Sequence, residues 1–140
     1  MQLQLKKSIG FKINLTANIL NSSFNQILNK HDIALEQRAV LEILKYEENV
    51  NQTKIAKILA KDKTTISRTL KTLEKKGYIL KDEMDKRTNL IKLTPLGEKV
   101  FKDSSEDVKD FRAKISSTLS QEEIDQLFKT LEKVISAVSE

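Results

Sequence analysis

The sequence predicts a mainly α-helical protein that contains one small β-hairpin. Only three Gly and one Pro occur in 140 residues, and turns and sheets use more of both residue types. Apolar residues recur every three or four positions along most of the chain, which is the period of a helix with one buried face. That period is lost over residues 78–93, where two short β-capable runs flank a polar segment.

The first two predicted helices each carry one apolar stripe. Residues 8–28 form the first helix, residues 29–32 form a connector, and residues 35–46 form the second helix. The stripe of the first helix has spacings of three and four residues, so it lies along one face. Its members are Ile9, Ile13, Ala17, Leu20, Phe24 and Leu28.

Two shorter helices are predicted next. Asn51 is a good N-cap for a helix over residues 52–60, because its side chain can accept a hydrogen bond from a free backbone N–H. Asp62 has the same role for a helix over residues 63–76, and Gly77 stands where a left-handed C-terminal cap is expected. The residues predicted to face inward are Ile55, Ile58, Leu59, Ile66, Leu70 and Leu73.

A hairpin and two long helices complete the predicted order. The strands are expected at residues 78–81 and 89–93, with a charged tip between them. Thr94 and Pro95 are typical of a helix start, and that helix is predicted to run to about residue 119. Ser120 and Glu123 have the spacing of a capping box for the last helix. Two short helices followed by a two-stranded hairpin indicate a winged helix-turn-helix.

Several kinds of site are excluded by composition. The chain has no Cys and a single His, so it has no disulfide, no Cys nucleophile and no His-rich metal site. It also lacks a nucleophile–base pair and a phosphate-binding Gly loop, so we expect no catalytic residues, no metal and no cofactor. No apolar run approaches the roughly 18 residues that span a bilayer. We therefore expect a cytoplasmic protein without a membrane partner.

The positive charge is concentrated in the predicted winged region. Residues 51–93 contain twelve Lys or Arg residues and five acids, a net charge of +7, whereas the whole chain carries +5. A basic surface on a helix-turn-helix is typical of proteins that bind double-stranded DNA. The alternative interpretation is a lysine-rich surface that is simply solvated.

The helix over residues 63–76 has a polar outer face suited to a major groove. Short hydroxyls can approach bases or phosphates, and Arg can donate two hydrogen bonds to guanine. An ordinary surface helix is the alternative. The residues assigned to DNA contact on this helix are Thr64, Thr65, Ser67, Arg68 and Lys71.

Two further groups are candidates for DNA contact. Gln52, Thr53 and Lys54 begin the preceding helix, where backbone N–H groups favour phosphate; helix-start chemistry is the alternative. At the hairpin tip, Lys86 and Arg87 are candidates for a minor groove, with Asp85 holding a basic side chain in place. The alternative there is a charged loop without a partner.

These residues together resemble the MarR-type transcriptional regulators. The most specific matches are residues 73–79 (LEKKGYI), 85–87 (DKR) and 93–97 (LTPLG), which occur in that order. Residues 35–41 (LEQRAVL) and 63–70 (KTTISRTL) add to the resemblance, which extends over the whole chain. Without Cys, and with only one His, the chain does not resemble the thiol-based or zinc-sensing members.

The resemblance implies a homodimeric repressor or activator that binds a pseudo-palindromic operator. By matching position, the five residues of the fourth helix would contact the major groove. Arg87 would be the wing arginine and Asp85 its anchoring acid. Many members are released from DNA by a small, often phenolic or anionic, effector bound between the dimer helices and the winged domain.

The terminal helices independently favour a dimer. All five Phe residues lie outside the winged region, and one small winged core has little surface on which to bury two long apolar stripes. We therefore predict three parts in one compact chain. These are an N-terminal dimerisation helix (1–34), a winged helix-turn-helix (35–93) and C-terminal dimerisation helices (94–140). The alternatives are an intramolecular bundle and, for function, a protein-interaction module that uses the winged scaffold without DNA.

Overall fold

The computed structural model describes residues 4–82 and 89–139 and confirms a mainly helical chain with one antiparallel hairpin. Two short 3-10 turns, Gln4–Lys7 and Asn29–His31, flank the first helix. The chain divides into two compact units, the first ending at Ser105 and the second beginning at Glu106. The elements are α1 (Ile9–Leu28), α2 (Leu35–Tyr46), α3 (Gln52–Leu59), α4 (Lys63–Lys76), β1 (Ile79–Lys81), β2 (Ile91–Leu93), α5 (Pro95–Ser116) and α6 (Gln121–Val138).

Side-chain caps begin most of these helices as predicted. The side chain of Asn51 accepts a hydrogen bond from the backbone N–H of Lys54 at 2.9 Å. In the capping box of α6, Ser120 Oγ accepts from the Glu123 N–H at 3.1 Å, and the Glu123 carboxylate accepts from the Ser120 N–H at 3.0 Å. These bonds satisfy N–H groups that a helix leaves free at its start.

Helix α2 begins without a hydroxyl or carboxylate cap, because Ala34 occupies that position. Two other side chains accept the free N–H groups instead. The Gln37 carbonyl oxygen accepts from Ala34 N–H at 3.0 Å, and Asn25 Oδ1 accepts from Leu35 N–H at 2.7 Å. The second bond also ties α1 to the start of α2.

The core of the first unit lies between α2, α3, α4 and the hairpin. The prediction that Ile58 faces inward is wrong, since 46% of that residue is exposed. The buried face of α3 is centred on Ile55 and Ala56, and Ile58 lies on its flank. The most deeply buried apolar side chains are Leu28, Val40, Leu41, Ile55, Ile66, Leu70 and Leu73.

The hairpin strands are shorter than predicted. Tyr78 belongs to the cap of α4, because its N–H donates to the Leu73 carbonyl at 3.0 Å. Asn89 has a φ of 48°, which takes it out of the extended region. The N–H of Ile91 donates to the Val50 carbonyl at 2.8 Å, so β2 is also bonded to the connector between α2 and α3.

Helix α5 packs unusually close to the end of α4. A Cβ atom added to Gly97 would lie 2.0 Å from the Tyr78 carbonyl oxygen, so only glycine fits at this position. The Thr94 hydroxyl donates to the Gly77 carbonyl at 2.5 Å and accepts from the Gly97 N–H at 3.0 Å. These contacts explain the spacing of Thr94 and Gly97 in the sequence.

The predicted end of α5 at residue 119 is also wrong, since the helix ends at Ser116. Ser and Thr hydroxyls there bond back to the backbone, as Thr118 Oγ1 does to the Ile115 carbonyl at 2.7 Å. Such bonds compete with regular helix geometry.

A buried arginine joins α2 to the part of α5 that lies in the first unit. Only 3% of Arg38 is exposed, and its guanidinium lies 4.1 Å from the centre of the Phe101 ring. Nε donates to the hydroxyl of Ser104 at 2.8 Å, and Nη1 donates to the Glu42 carboxylate at 3.2 Å. The donors of this buried cation therefore have acceptors, as burial requires.

The terminal helices carry exposed apolar side chains. None of the described residues of α6 is buried, and 64% of Phe128 and 53% of Ile135 are exposed. On α1, Phe24 is buried, whereas 67% of Ile9 and 61% of Ile19 are exposed. Within the described chain, no helix is long and apolar enough to cross a membrane.

Candidate nucleic-acid interface

The polar face of α4 contains the residues assigned to the major groove. Its apolar face is buried in the first unit, so the polar face points outward. Thr64, Arg68 and Lys71 are exposed, and Thr65 and Ser67 are half-buried on the flanks. Among the described residues, no carboxylate forms an ion pair with Arg68 or Lys71. These cations are therefore available to an external anion.

Asp62 fixes the start of this helix. Its carboxylate accepts a hydrogen bond from the Thr65 N–H at 2.7 Å. Hydrogen bonds from the backbone and the hydroxyl of Thr65 lower the pKa of Asp62 below its ordinary value of 3.8, and the nearby charge of Arg68 adds to the effect. The carboxylate is therefore ionised at neutral pH, where it stabilises the first turn of α4.

The end of α4 is bound to the connector between α1 and α2. Gly77 has a φ of 81° and forms the left-handed cap that was predicted. The Lys76 ammonium donates to the Asp32 carbonyl at 2.9 Å and to the Gln37 side chain at 3.1 Å. Lys76 thus adds to the positive charge of the region, but its ammonium is turned towards the protein.

The Tyr78 hydroxyl is also affected by Asp32. Burial, followed by the charge of Asp32, raises the pKa of the Tyr78 hydroxyl.

The three residues assigned to phosphate at the start of α3 have different surroundings. The side-chain amide of Gln52 donates to the Lys63 carbonyl at 3.0 Å, which ties the start of α3 to the start of α4. The Lys54 ammonium donates to the Glu48 carbonyl at 2.8 Å. Thr53 is exposed, so it is the member of the trio whose side chain is open to an external ligand.

A cleft of about 520 Å³ lies between the starts of α3 and α4 and the base of the hairpin. We call it the hairpin cleft. Two of its lining residues, Lys63 and Lys81, were not assigned to DNA from the sequence. Both contribute to the local charge excess, but only the fold brings them together. The lining residues are Asn51, Gln52, Thr53, Lys63, Lys81, Asn89 and Ile91.

The wing assignments cannot be placed in this geometry. Asp85, Lys86 and Arg87 lie outside the described residues, so their roles stay predictions. The chain that leads to them is described as far as Asp82 and from Asn89 onward. Within the described residues, no cluster of three or more His, Asp or Glu side chains is arranged to hold a metal ion.

The chain is similar in sequence to known transcriptional regulators. A family model described as the MarR family matches residues 33–88, which include α2 to α4 and β1. The chain is 34% identical to the HTH-type transcriptional regulator MgrA of Staphylococcus aureus, over 99% of this chain and 95% of that protein. The similarity therefore extends well beyond the winged region.

Two solved structures have the same fold over nearly the whole chain. A MarR/EmrR family transcriptional regulator from Acinetobacter sp. ADP1 aligns with a TM-score of 0.88 and 29% identity, covering 97% of this chain and 98% of that one. The S. aureus MepR–DNA complex aligns with a TM-score of 0.83 and 27% identity, covering 96% and 99%. The chain therefore belongs to the MarR family of transcriptional regulators.

Proposed function

We propose that this chain is a sequence-specific, DNA-binding transcriptional regulator that binds a pseudo-palindromic operator as a homodimer. The observation that carries the proposal is the polar face of α4, with Thr64, Arg68 and Lys71 exposed and its cations unpaired within the described chain. The solved MepR structure, which contains DNA, has the same fold. In this role α4 lies in the major groove, where Thr65 and Ser67 complete the contact surface.

The wing completes the proposed contact. Lys86 and Arg87 enter the adjacent minor groove, and Asp85 orients the arginine. Thr53 contacts a phosphate at the start of α3, whereas Gln52 orients the start of α4 through its bond to Lys63. Lys54 would have to release the Glu48 carbonyl before it reached a phosphate.

The homodimer uses the apolar stripes of the terminal helices. Exposed Ile9, Ile13 and Leu20 on α1, and exposed Phe128 and Ile135 on α6, would be covered by a second copy of the chain. Symmetric pairing of two winged regions matches two half-sites related by a two-fold axis. Such a regulator acts in the cytoplasm and has no need of catalytic chemistry.

A small-molecule effector is part of the proposal. Within the first unit, a mostly apolar cleft of about 190 Å³ lies between α1, α2, α3 and α4. Leu35, Ala39, Leu59 and Ile66 supply its apolar wall, and Thr65 reaches its edge. A ligand in this cleft would touch α4 directly, so its binding would change the position of the DNA-contacting face.

The proposal is tested by selecting bound duplexes from random DNA at two salt concentrations. We expect a pseudo-palindromic sequence with half-sites about one helical turn apart and an affinity that falls as salt rises. The competing hypothesis is a protein-interaction module on the same scaffold. It predicts no enriched sequence, and that result would overturn the proposal.

A further inference from the structure

The hairpin cleft lies where a DNA backbone has to pass, if α4 and the wing act as proposed. One strand of the duplex backbone separates the major groove from the neighbouring minor groove. A protein that places α4 in the first groove and the hairpin tip in the second must therefore face that strand with the surface between them. The hairpin cleft is bounded by Lys63 at the start of α4 and by Lys81 at the base of the hairpin.

The charge of the cleft suits a phosphate. The lining residues that the structure describes include two lysines and no carboxylate. Among the described residues, no acid forms an ion pair with Lys63. The Lys81 ammonium is 3.7 Å from the Glu74 carboxylate, and both side chains are more than a third exposed. Exposed ion pairs of this kind contribute little free energy, so a phosphate can compete with Glu74 for Lys81.

The polar side chains of the cleft divide into those already used and those open to a ligand. Gln52 donates to the Lys63 carbonyl, and Asn51 accepts from the Lys54 N–H. The Thr53 hydroxyl has no hydrogen-bond partner among the described residues. The cleft thus offers two cations, one hydroxyl donor and the side-chain amide of Asn89, which is a suitable set for one phosphodiester oxygen pair.

We propose that the hairpin cleft binds one backbone phosphate of the operator, with Lys63 and Lys81 as its cationic ligands and Thr53 as its hydroxyl donor. The inference rests on the proposed DNA-binding function and adds two contacts that the sequence did not identify. A homodimer has two such clefts and therefore neutralises two phosphates through them. Because the ligand is the backbone, these contacts strengthen binding to every duplex equally.

The test measures affinity against salt concentration for the full chain and for the double variant Lys63→Gln/Lys81→Gln. Each neutralised phosphate contributes about 0.9 to the slope of log affinity against log salt. We therefore expect the slope of the double variant to be smaller by roughly 1.8 per dimer. Between 50 and 200 mM salt, the wild type should lose about tenfold more affinity than the variant.

Lys102→Gln is the control for the loss of lysine charge outside the cleft. It removes the same type of charge from an exposed position on α5, and we expect little change in slope. The affinity of every variant is measured on two duplexes, the selected operator and a random sequence of equal length. Thermal unfolding checks that each protein variant remains folded.

Three results have distinct meanings. A reduced slope on both duplexes supports the phosphate site. A slope no different from that of Lys102→Gln, or a loss confined to the operator, overturns it while leaving DNA binding intact. A wild-type chain that bound neither duplex would instead contradict the proposed function.

Discussion

Arg68 and Gly97 are the two residues at which local chemistry bears most directly on the proposed function. Arg68 is exposed on the outer face of α4, and its planar guanidinium can donate two parallel hydrogen bonds to guanine. Gly97 has no side chain, and α5 therefore approaches the Tyr78 carbonyl closely. In the proposed complex Arg68 would contact the DNA, whereas Gly97 fixes the junction between the hairpin and α5.

We predict that Arg68→Ala weakens binding to the selected operator by about 1–3 kcal/mol and relaxes specificity at one base position. The measurement is competition between the operator and its single-base variants. Lys75→Ala is the control, since it removes a charge from the C-terminal half of the same helix, which lies farther from the bases. If Arg68→Ala weakened binding to all sequences equally, Arg68 would be a phosphate contact.

We predict that Gly97→Ala lowers the free energy of unfolding by about 2 kcal/mol or more, because the new Cβ would meet a backbone carbonyl that cannot move aside. Chemical denaturation measures the change. Gly10→Ala is the matched control, since the nearest atom to its added Cβ is Ser8 Oγ at 3.8 Å. That change should leave stability equal or raise it slightly. Equal effects of the two substitutions would contradict the close contact.

At the scale of elements, α2 and the start of α5 are joined by two links of different character. Arg38 is buried, bonds to Ser104 and lies over the ring of Phe101. The Lys45 ammonium and the Glu98 carboxylate, 2.9 Å apart, form the second link, and both side chains are exposed. Burial makes the first link strong because its partners cannot be replaced by water.

We predict that Arg38→Ala lowers the free energy of unfolding by roughly 2–4 kcal/mol, since it removes charged hydrogen bonds and a buried aliphatic stem. Lys45→Ala should cost less than about 1 kcal/mol, as expected of an exposed ion pair. Denaturant unfolding of both variants gives the comparison. Similar losses would show that burial does not distinguish the two links.

At the scale of the whole molecule, the distribution of apolar surface favours association. The first unit contains a closed core, whereas α6 has no buried residue in its described part. A stripe that includes Phe128, Ile135 and Val138 is exposed to solvent. Such a surface on one chain is typical of a helix that is buried by a partner.

We predict that the wild type is a homodimer and that Phe128→Asp raises the dimer dissociation constant by roughly 100-fold, because it places a charge in a buried aromatic contact. Analytical ultracentrifugation measures the constant. Leu80→Asp is the control, since Leu80 is similarly exposed, at 45%, but lies on β1. A dimer that tolerated Phe128→Asp would contradict the assigned interface.

Local signals account for the parts of the fold that were predicted correctly. The bounds of α4, the caps at Asn51, Asp62 and Ser120, and the left-handed Gly77 all follow from residues within one turn of each other. Such features depend on backbone N–H and C=O groups whose partners are nearby in sequence. The resemblance of ordered motifs also identified the family, which the comparisons confirmed.

The tertiary structure decided which side chains are available, because availability depends on neighbours far away in sequence. Lys76 contributes to the basic region but binds a carbonyl 44 residues earlier, and Arg38 bonds to a serine 66 residues later. Lys63 and Lys81 line the same cleft only because the fold brings the start of α4 and the base of the hairpin to its walls. The sequence by itself therefore determined the elements and the sign of the charge, and the packing determined which charges face outward.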